Sequence, residues 1–332
     1  MRPEIGCDLV RFGPSRGRGA MTKDGEPSST LPRRHLGRVL EAARQGAGFT
    51  VERAAELMEM GKASLGRIEK GQNQKVPERI VEGYGRLYGL GEDDIAELKD
   101  LAEEKATKSW YLKGHRLIRA DYGVYFGQPR RMVIPGFSAY LGLESAASQL
   151  RFYHPLTVPG LLQTADYARA VEGPYLPSDT PEDIEHRVEL RLKRAVILTR
   201  SREPVQAEFV IQEAALHTIA GSRAVMAGQH RHLAHISTLP NVTIQILPFS
   251  AGFPGGWNPV LPYIIVDFPS DSHTYRSEPP VVYAEGTIGT VLSEDEDDVR
   301  RYREIHNDLR CAALGEQESR AYLRALATRY EQ

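Results

Sequence analysis

The residues with the most specific spacing are Lys62, Ala63, Ser64, Arg67 and Lys70. If they lie on a helix, Leu65 and Ile68 fall three apart on its inner face. Lys62, Ala63, Ser64 and Arg67 then face outward near its start. Small and hydrogen-bonding groups at the N-terminal end of a helix with an apolar back are what reading base edges in the major groove of duplex DNA requires. Arg67 suits a bidentate contact with guanine. Thr50 is placed to cap the preceding helix and, with the helix N-terminal amides, to hold phosphate.

Other constellations do less. His230, His232 and His235 sit together, but on a helix only 232 and 235 share a face. A helical metal site takes His at i and i+4 with a further carboxylate or His, so the pattern reads as a basic, partly buried helix. Glu213 and Glu285 each end a strand pattern. Such carboxylates can act as acid and base or bind a polar ligand. They can equally stabilise the first turn of a helix. Glu213 reads as structural, and Tyr283 and Glu285 stand as candidate ligand contacts. There is no Gly-Lys-Ser/Thr phosphate loop, and Gly252–Gly256 fits neither a Walker nor a Rossmann pattern. No catalytic residue, metal or cofactor is assigned.

The elements that must carry these residues are legible. Leu36, Val39, Leu40 and Ala43 recur at helical spacing until Gly46 and Gly48. Thr50 opens a short helix through Ala54, Ala55 and Met58. A tight turn at Glu59 and Met60 leads to a third helix over 62–70. Two more, Glu78–Tyr88 and Glu92–Ala106, complete five. Residues 1–32, rich in Gly, Pro, Ser and Arg, read as a disordered tail, or as a basic arm bearing Arg11, Arg16 and Arg18. Residues 107–135 read as a linker or helical strap whose aromatics pack the domains together. From 136 onward helices are expected at 142–153, 161–171, 181–200, 213–220, 222–239, 297–314 and 317–330. Strands are expected at 205–211, 242–247, 263–268 and 281–285. This is an α+β domain on a sheet of four or five strands.

The spacing of Ala55, Leu65 and Ile68, followed by Arg67-Ile68-Glu69-Lys70-Gly71, resembles the XRE family of phage-repressor-type helix-turn-helix domains. Val51, Glu59 and Gly61 depart from that family's pattern. Downstream, Phe137-Ser138-Ala139-Tyr140-Leu141-Gly142-Leu143-Glu144 and the run Val158-Pro159-Gly160-Leu161-Leu162-Gln163-Thr164-Ala165-Asp166-Tyr167 are similar to the C-terminal domain of actinobacterial antitoxin-like regulators. Leu190-Arg191-Leu192-Lys193-Arg194, the segment 241–249 and Val282-Tyr283-Ala284-Glu285 continue the likeness. It implies a multidomain protein, with an all-α five-helix DNA-binding domain at 33–106 and an α+β regulatory domain at 136–332. It also implies a regulator often encoded beside a small partner protein.

Composition agrees with a regulator. The net charge is −2, but residues 33–76 carry nine Lys or Arg against five Glu, while Glu294–Asp298 is an unbroken acidic run read as a solvated helix start. A basic module on a neutral or acidic body fits a regulator better than a protein that coats nucleic acid. Cys7 and Cys311 lack metal spacing and read as reduced thiols. Neither a membrane span nor a secretory signal is apparent, so the expected compartment is the cytoplasm. The expected partners are double-stranded DNA, a second copy of the chain, and an effector or small protein at the second domain. Loops 251–259 and 269–280 read as that domain's binding loops or as surface connections. The competing class is a nucleotide-acting enzyme carrying a DNA-binding module.

Overall fold

The computed structural model describes residues 31–73, 75–103, 118–120, 123–125, 137–172, 180–254, 260–269, 278–286 and 289–332. Residues 1–30, including the expected arm, lie outside these. The chain becomes helical at Leu31, inside the stretch expected as tail.

Five helices open the described chain: α1 (Leu31–Gly46), α2 (Val51–Leu57), α3 (Lys62–Glu69), α4 (Glu78–Leu87) and α5 (Glu92–Glu103). Leu36, Val39, Leu40 and Ala43 of α1 pack on Ala54, Ala55, Leu65, Ile68, Val81, Tyr84 and Leu98. Thr50 caps α2 by accepting from the Arg53 amide at 3.1 Å. Glu59 takes a positive φ of 50° in the turn between α2 and α3, a conformation that costs a side chain some strain. Helices α1 and α3 nearly touch through their backbones: a β-carbon at Gly37 would lie 2.6 Å from the Ile68 carbonyl oxygen and closer still to that of Glu69.

Within 107–135 the described pieces are extended rather than helical. Strands β1 (Ile118–Ala120) and β2 (Gly123–Tyr125) pair antiparallel, Ala120 opposite Gly123. β-Branched Ile118 and Val124 and aromatic Tyr125 favour paired strands over a helical strap.

The remainder is an α+β domain. Helix α6 (Phe137–Ser145) leads into a mixed sheet of six strands, one more than the upper expectation. These are β3 (Gln149–His154), β4 (Gln206–Gln212), β5 (Val242–Leu247), β6 (Tyr263–Asp267), β7 (Val281–Gly286) and β8 (Gly289–Ser293), in the order β5-β4-β3-β6-β7-β8. β3, β4 and β5 run parallel, and β6, β7 and β8 continue antiparallel. The interior strand β3 falls in the stretch expected as a helix over 142–153. Leu150 and Phe152 face one side and Tyr153 the other, all buried. A strand covered on both faces loses the alternation that would mark it in sequence. β8 was likewise unexpected.

Helices α7 (Ala165–Glu172) and α8 (Pro181–Ala195) connect β3 to β4, and α9 (Glu213–His217) and α10 (Arg223–Ile236) connect β4 to β5. Helices α11 (Glu296–Ala312) and α12 (Glu316–Glu331) close the chain. Phe152, Phe209, Ile211, Ile244, Ile264 and Tyr283 share one core with α10, α12 and the five-helix unit. Tyr153, Val210, Tyr263, Ile265 and Val282 form a second core under Val299 and Leu309 of α11. Among the described residues no helix is long and apolar enough to cross a membrane.

Candidate nucleic-acid interface and its domain clasp

Helix α3 presents the predicted surface. Lys62, Ala63 and Arg67 are exposed and Ser64 is half-buried, while Leu65 and Ile68 are buried behind them. Gly61 occupies the N-cap without a side-chain bond, and Lys62, Ser64 and Arg67 are the polar groups of the first turns. Arg67 donates to Ser64 Oγ at 3.3 Å. The Lys62 ammonium pairs with Glu52 of α2, and this contact lowers the Glu52 carboxyl below the usual range. Glu52 therefore neutralises one cation of the predicted surface. Thr50 is exposed, and its hydroxyl accepts the capping bond from the Arg53 amide. Lys70 is the C-cap of α3, about 12 Å from the helix start at 1.5 Å per residue. It lines a cleft with Arg34, Arg38 and Glu278, so it stands apart from the other five.

What holds α3 in place was not apparent from the sequence. Glu69 accepts from Arg44 at the end of α1 through two bonds of 2.7 and 3.0 Å, both side chains being about 7% exposed. Arg44 also donates to the Phe49 carbonyl at 2.9 Å. The Glu69 hydrogen bond raises the Arg44 guanidinium further despite its burial. A planar, two-bond pair fixes direction as well as distance.

The five-helix unit is not free of the second domain. Arg34, His35 and Arg38 of α1 are buried. Arg34 pairs with Glu278 and Glu294, and Arg38 with Glu278. Glu294, the first residue of the acidic run, is thus an inter-domain partner, while Asp295 caps α11 by accepting from the Asp297 and Asp298 amides. Desolvation pushes the Glu278 carboxyl up, and the Arg38 and Arg34 charges more than reverse this, holding it below the usual range. The signal available in sequence was two arginines at i and i+4 beside the apolar stripe of α1.

In the second domain, the candidate ligand residues separate. Tyr283 is 2% exposed and stacks on Tyr140 at 4.5 Å. The Tyr283 ring thus packs between the sheet and α6. Glu285 pairs in register with Thr290 at the β7–β8 end, and its side chain lies outside the described residues. Glu213 accepts from the Tyr322 hydroxyl at 2.6 Å and the Phe249 amide at 2.7 Å, and its carboxyl lies below the usual range because these bonds outweigh desolvation. Its role is to tie α9 to α12 and the turn after β5.

His230 is fully buried, with Nε2 3.1 Å from the Leu216 carbonyl oxygen, and burial pushes it down to about 4. His232 is half-buried and His235 exposed. Among the described residues no group of three or more His, Cys, Asp or Glu is placed to hold a metal. Polar side chains instead knit the core: Glu144, 0% exposed, takes two bonds from Arg194 at 2.9 and 2.8 Å, and Gln229 bridges Leu162 and Thr164. Both lie in or against the phrases that carried the resemblance.

The fold and this surface define a protein with an N-terminal helix-turn-helix unit clasped to a mixed-sheet α+β domain. Residues 35–98 match a helix-turn-helix domain. Residues 137–325 match a domain of unknown function (DUF5753). That match spans more than half of the chain, and the protein belongs to this family. No curated protein and no solved structure matches it.

Proposed function

We propose that the protein is a sequence-specific, DNA-binding transcriptional regulator of the XRE type. In this reading its C-terminal domain binds an effector or a small partner protein, as in antitoxin-like regulators. The observation that carries the reading is the exposed start of α3, with Lys62, Ala63 and Arg67 on the outside of a helix whose back is buried and whose end is fixed by the Arg44–Glu69 pair. One such helix reads only a few base pairs, so selectivity calls for a homodimer on half-sites about one helical turn apart.

Genomic DNA pull-down with sequencing supplies the operator. On that operator Arg67→Ala is expected to lose about 1–3 kcal/mol of binding relative to the wild type. Equal affinity of the two would overturn the assignment. Light scattering that finds a monomer both free and on DNA would overturn the dimer. The competing enzyme reading requires nucleotide turnover that Glu285→Gln abolishes.

A further inference from the structure

Arg34 and Arg38 lie one turn apart on α1, where it meets the sheet domain. Both guanidiniums lie over the ring of Phe268, at 5.6 and 5.3 Å from its centre. Both donate to one oxygen of Glu278, Arg34 at 3.2 Å. Arg34 further donates to the Pro279 carbonyl at 3.3 Å and to Glu294, and its Nε has no hydrogen-bond partner among the described residues. The burial is uneven: the Arg34 side chain is 1% exposed and Arg38 6%, whereas Glu278 is 36% exposed. The cations are built into the fold, and the anion between them is reached from solvent. A cavity of about 110 Å³ opens at this point, bordered by Arg34, Arg38, Lys70, Glu41, Glu278 and Glu69, the last already paired with Arg44.

Two buried guanidiniums need counter-charge, because an unpaired buried charge is costly. Their planar forks, backed by an aromatic ring, match the geometry of a carboxylate or phosphate. Glu278 supplies one oxygen to both arginines, the arrangement a free oxyanion could make as well or better.

We propose that this inter-domain cleft is a binding site for a small oxyanion, a carboxylate or a phosphate, and that Glu278 is the internal ligand that fills it otherwise. Arg34 and Arg38 belong to the helix-turn-helix unit, and Glu278 to the sheet domain. An anion that replaces Glu278 removes its pairs with Arg34 and Arg38 and leaves Arg34 bonded to Glu294 and to the Pro279 carbonyl. The consequence for DNA binding rests on the regulator reading, whereas the site itself does not.

Calorimetry on the full chain tests the site, using inorganic phosphate and succinate at matched ionic strength. An internal competitor lowers apparent affinity by the fraction of time it occupies the site, so Glu278→Gln is expected to bind one of these anions at least about tenfold more tightly than the wild type. Adding Arg38→Met to that variant should abolish the gain. Which anion binds identifies the source. No binding to Glu278→Gln, no gain over the wild type, or a gain that survives Arg38→Met overturns the site. Should Glu278→Gln fail to fold, hydrogen exchange of the wild type decides. Phosphate or succinate must then change exchange over 31–40 and 278–284, and unchanged exchange overturns the proposal. These measurements contain no DNA, so their failure leaves the regulator reading intact, and an absence of operator binding leaves the site intact.

Discussion

Replacing Glu69 by Ala should show how the recognition helix is held. Arg44 and Glu69 are each about 7% exposed and share two bonds of 2.7 and 3.0 Å. Removing the carboxylate leaves a buried guanidinium with only the Phe49 carbonyl as a partner among the bonds described above. Breaking a buried pair by truncating one member costs about 3–5 kcal/mol, a large part of the roughly 5–15 kcal/mol that stabilises a typical domain. With a urea dependence of about 2 kcal/mol per M, the midpoint should fall by about 2 M. The assay is urea unfolding of the full chain, with hydrogen exchange followed at α1 and α3 so that the loss is located. The double change Arg44→Met, Glu69→Leu should recover much of the loss, because apolar replacement of both partners leaves no charge uncompensated. A loss below about 1 kcal/mol, the range of an exposed pair, would refute the reasoning. So would a double variant no more stable than Glu69→Ala.

Three further outcomes follow from the same geometry. Glu52→Gln should release Lys62 and tighten duplex binding, steepening the salt dependence by about one unit of slope if Lys62 then neutralises a phosphate; unchanged affinity and slope in a salt-titrated gel shift would show that Lys62 does not meet DNA. Gly37→Ala should destabilise the helix-turn-helix unit by at least about 1–3 kcal/mol through overpacking, since its β-carbon meets backbone 2.6 Å away, and a wild-type unfolding midpoint would contradict that contact. Acid should act in two stages: His230 and His154, both pushed down to about 4 by burial, are neutral in the fold and take up protons on unfolding, so stability falls from pH 6.5 towards 4. Glu208, held down to about 2 by His306, 3.7 Å away, with Arg151 and Arg310, contributes fully above the usual glutamate pKa of about 4.3 and loses about 3 kcal/mol as pH drops to about 2. Urea titrations at several pH values check both stages, with His230→Gln flattening the first and Glu208→Gln the second.

The helix-turn-helix was legible because its signals are local. Apolar residues three and four apart, Thr50 before α2 and Gly48 after α1 act within a turn or two of chain, and the α3 surface follows from which side Leu65 and Ile68 occupy. Most helices and strands of the second domain were legible for the same reason. β3 was not, because Leu150, Phe152 and Tyr153 suit a buried helix as well as a strand covered on both faces, and only its neighbours β4 and β6 choose between them. The stacking of Tyr283 likewise depends on a ring from α6 that its place at a strand end does not reveal. The clasp joins Arg34 to residues 244 and 260 positions away. No local pattern encodes a pairing at that separation. Sequence alone determined that α1 carries two arginines beside its apolar stripe, and only the tertiary structure decided that they are buried, because burying such charges requires the carboxylates of Glu278 and Glu294 to arrive from the other domain.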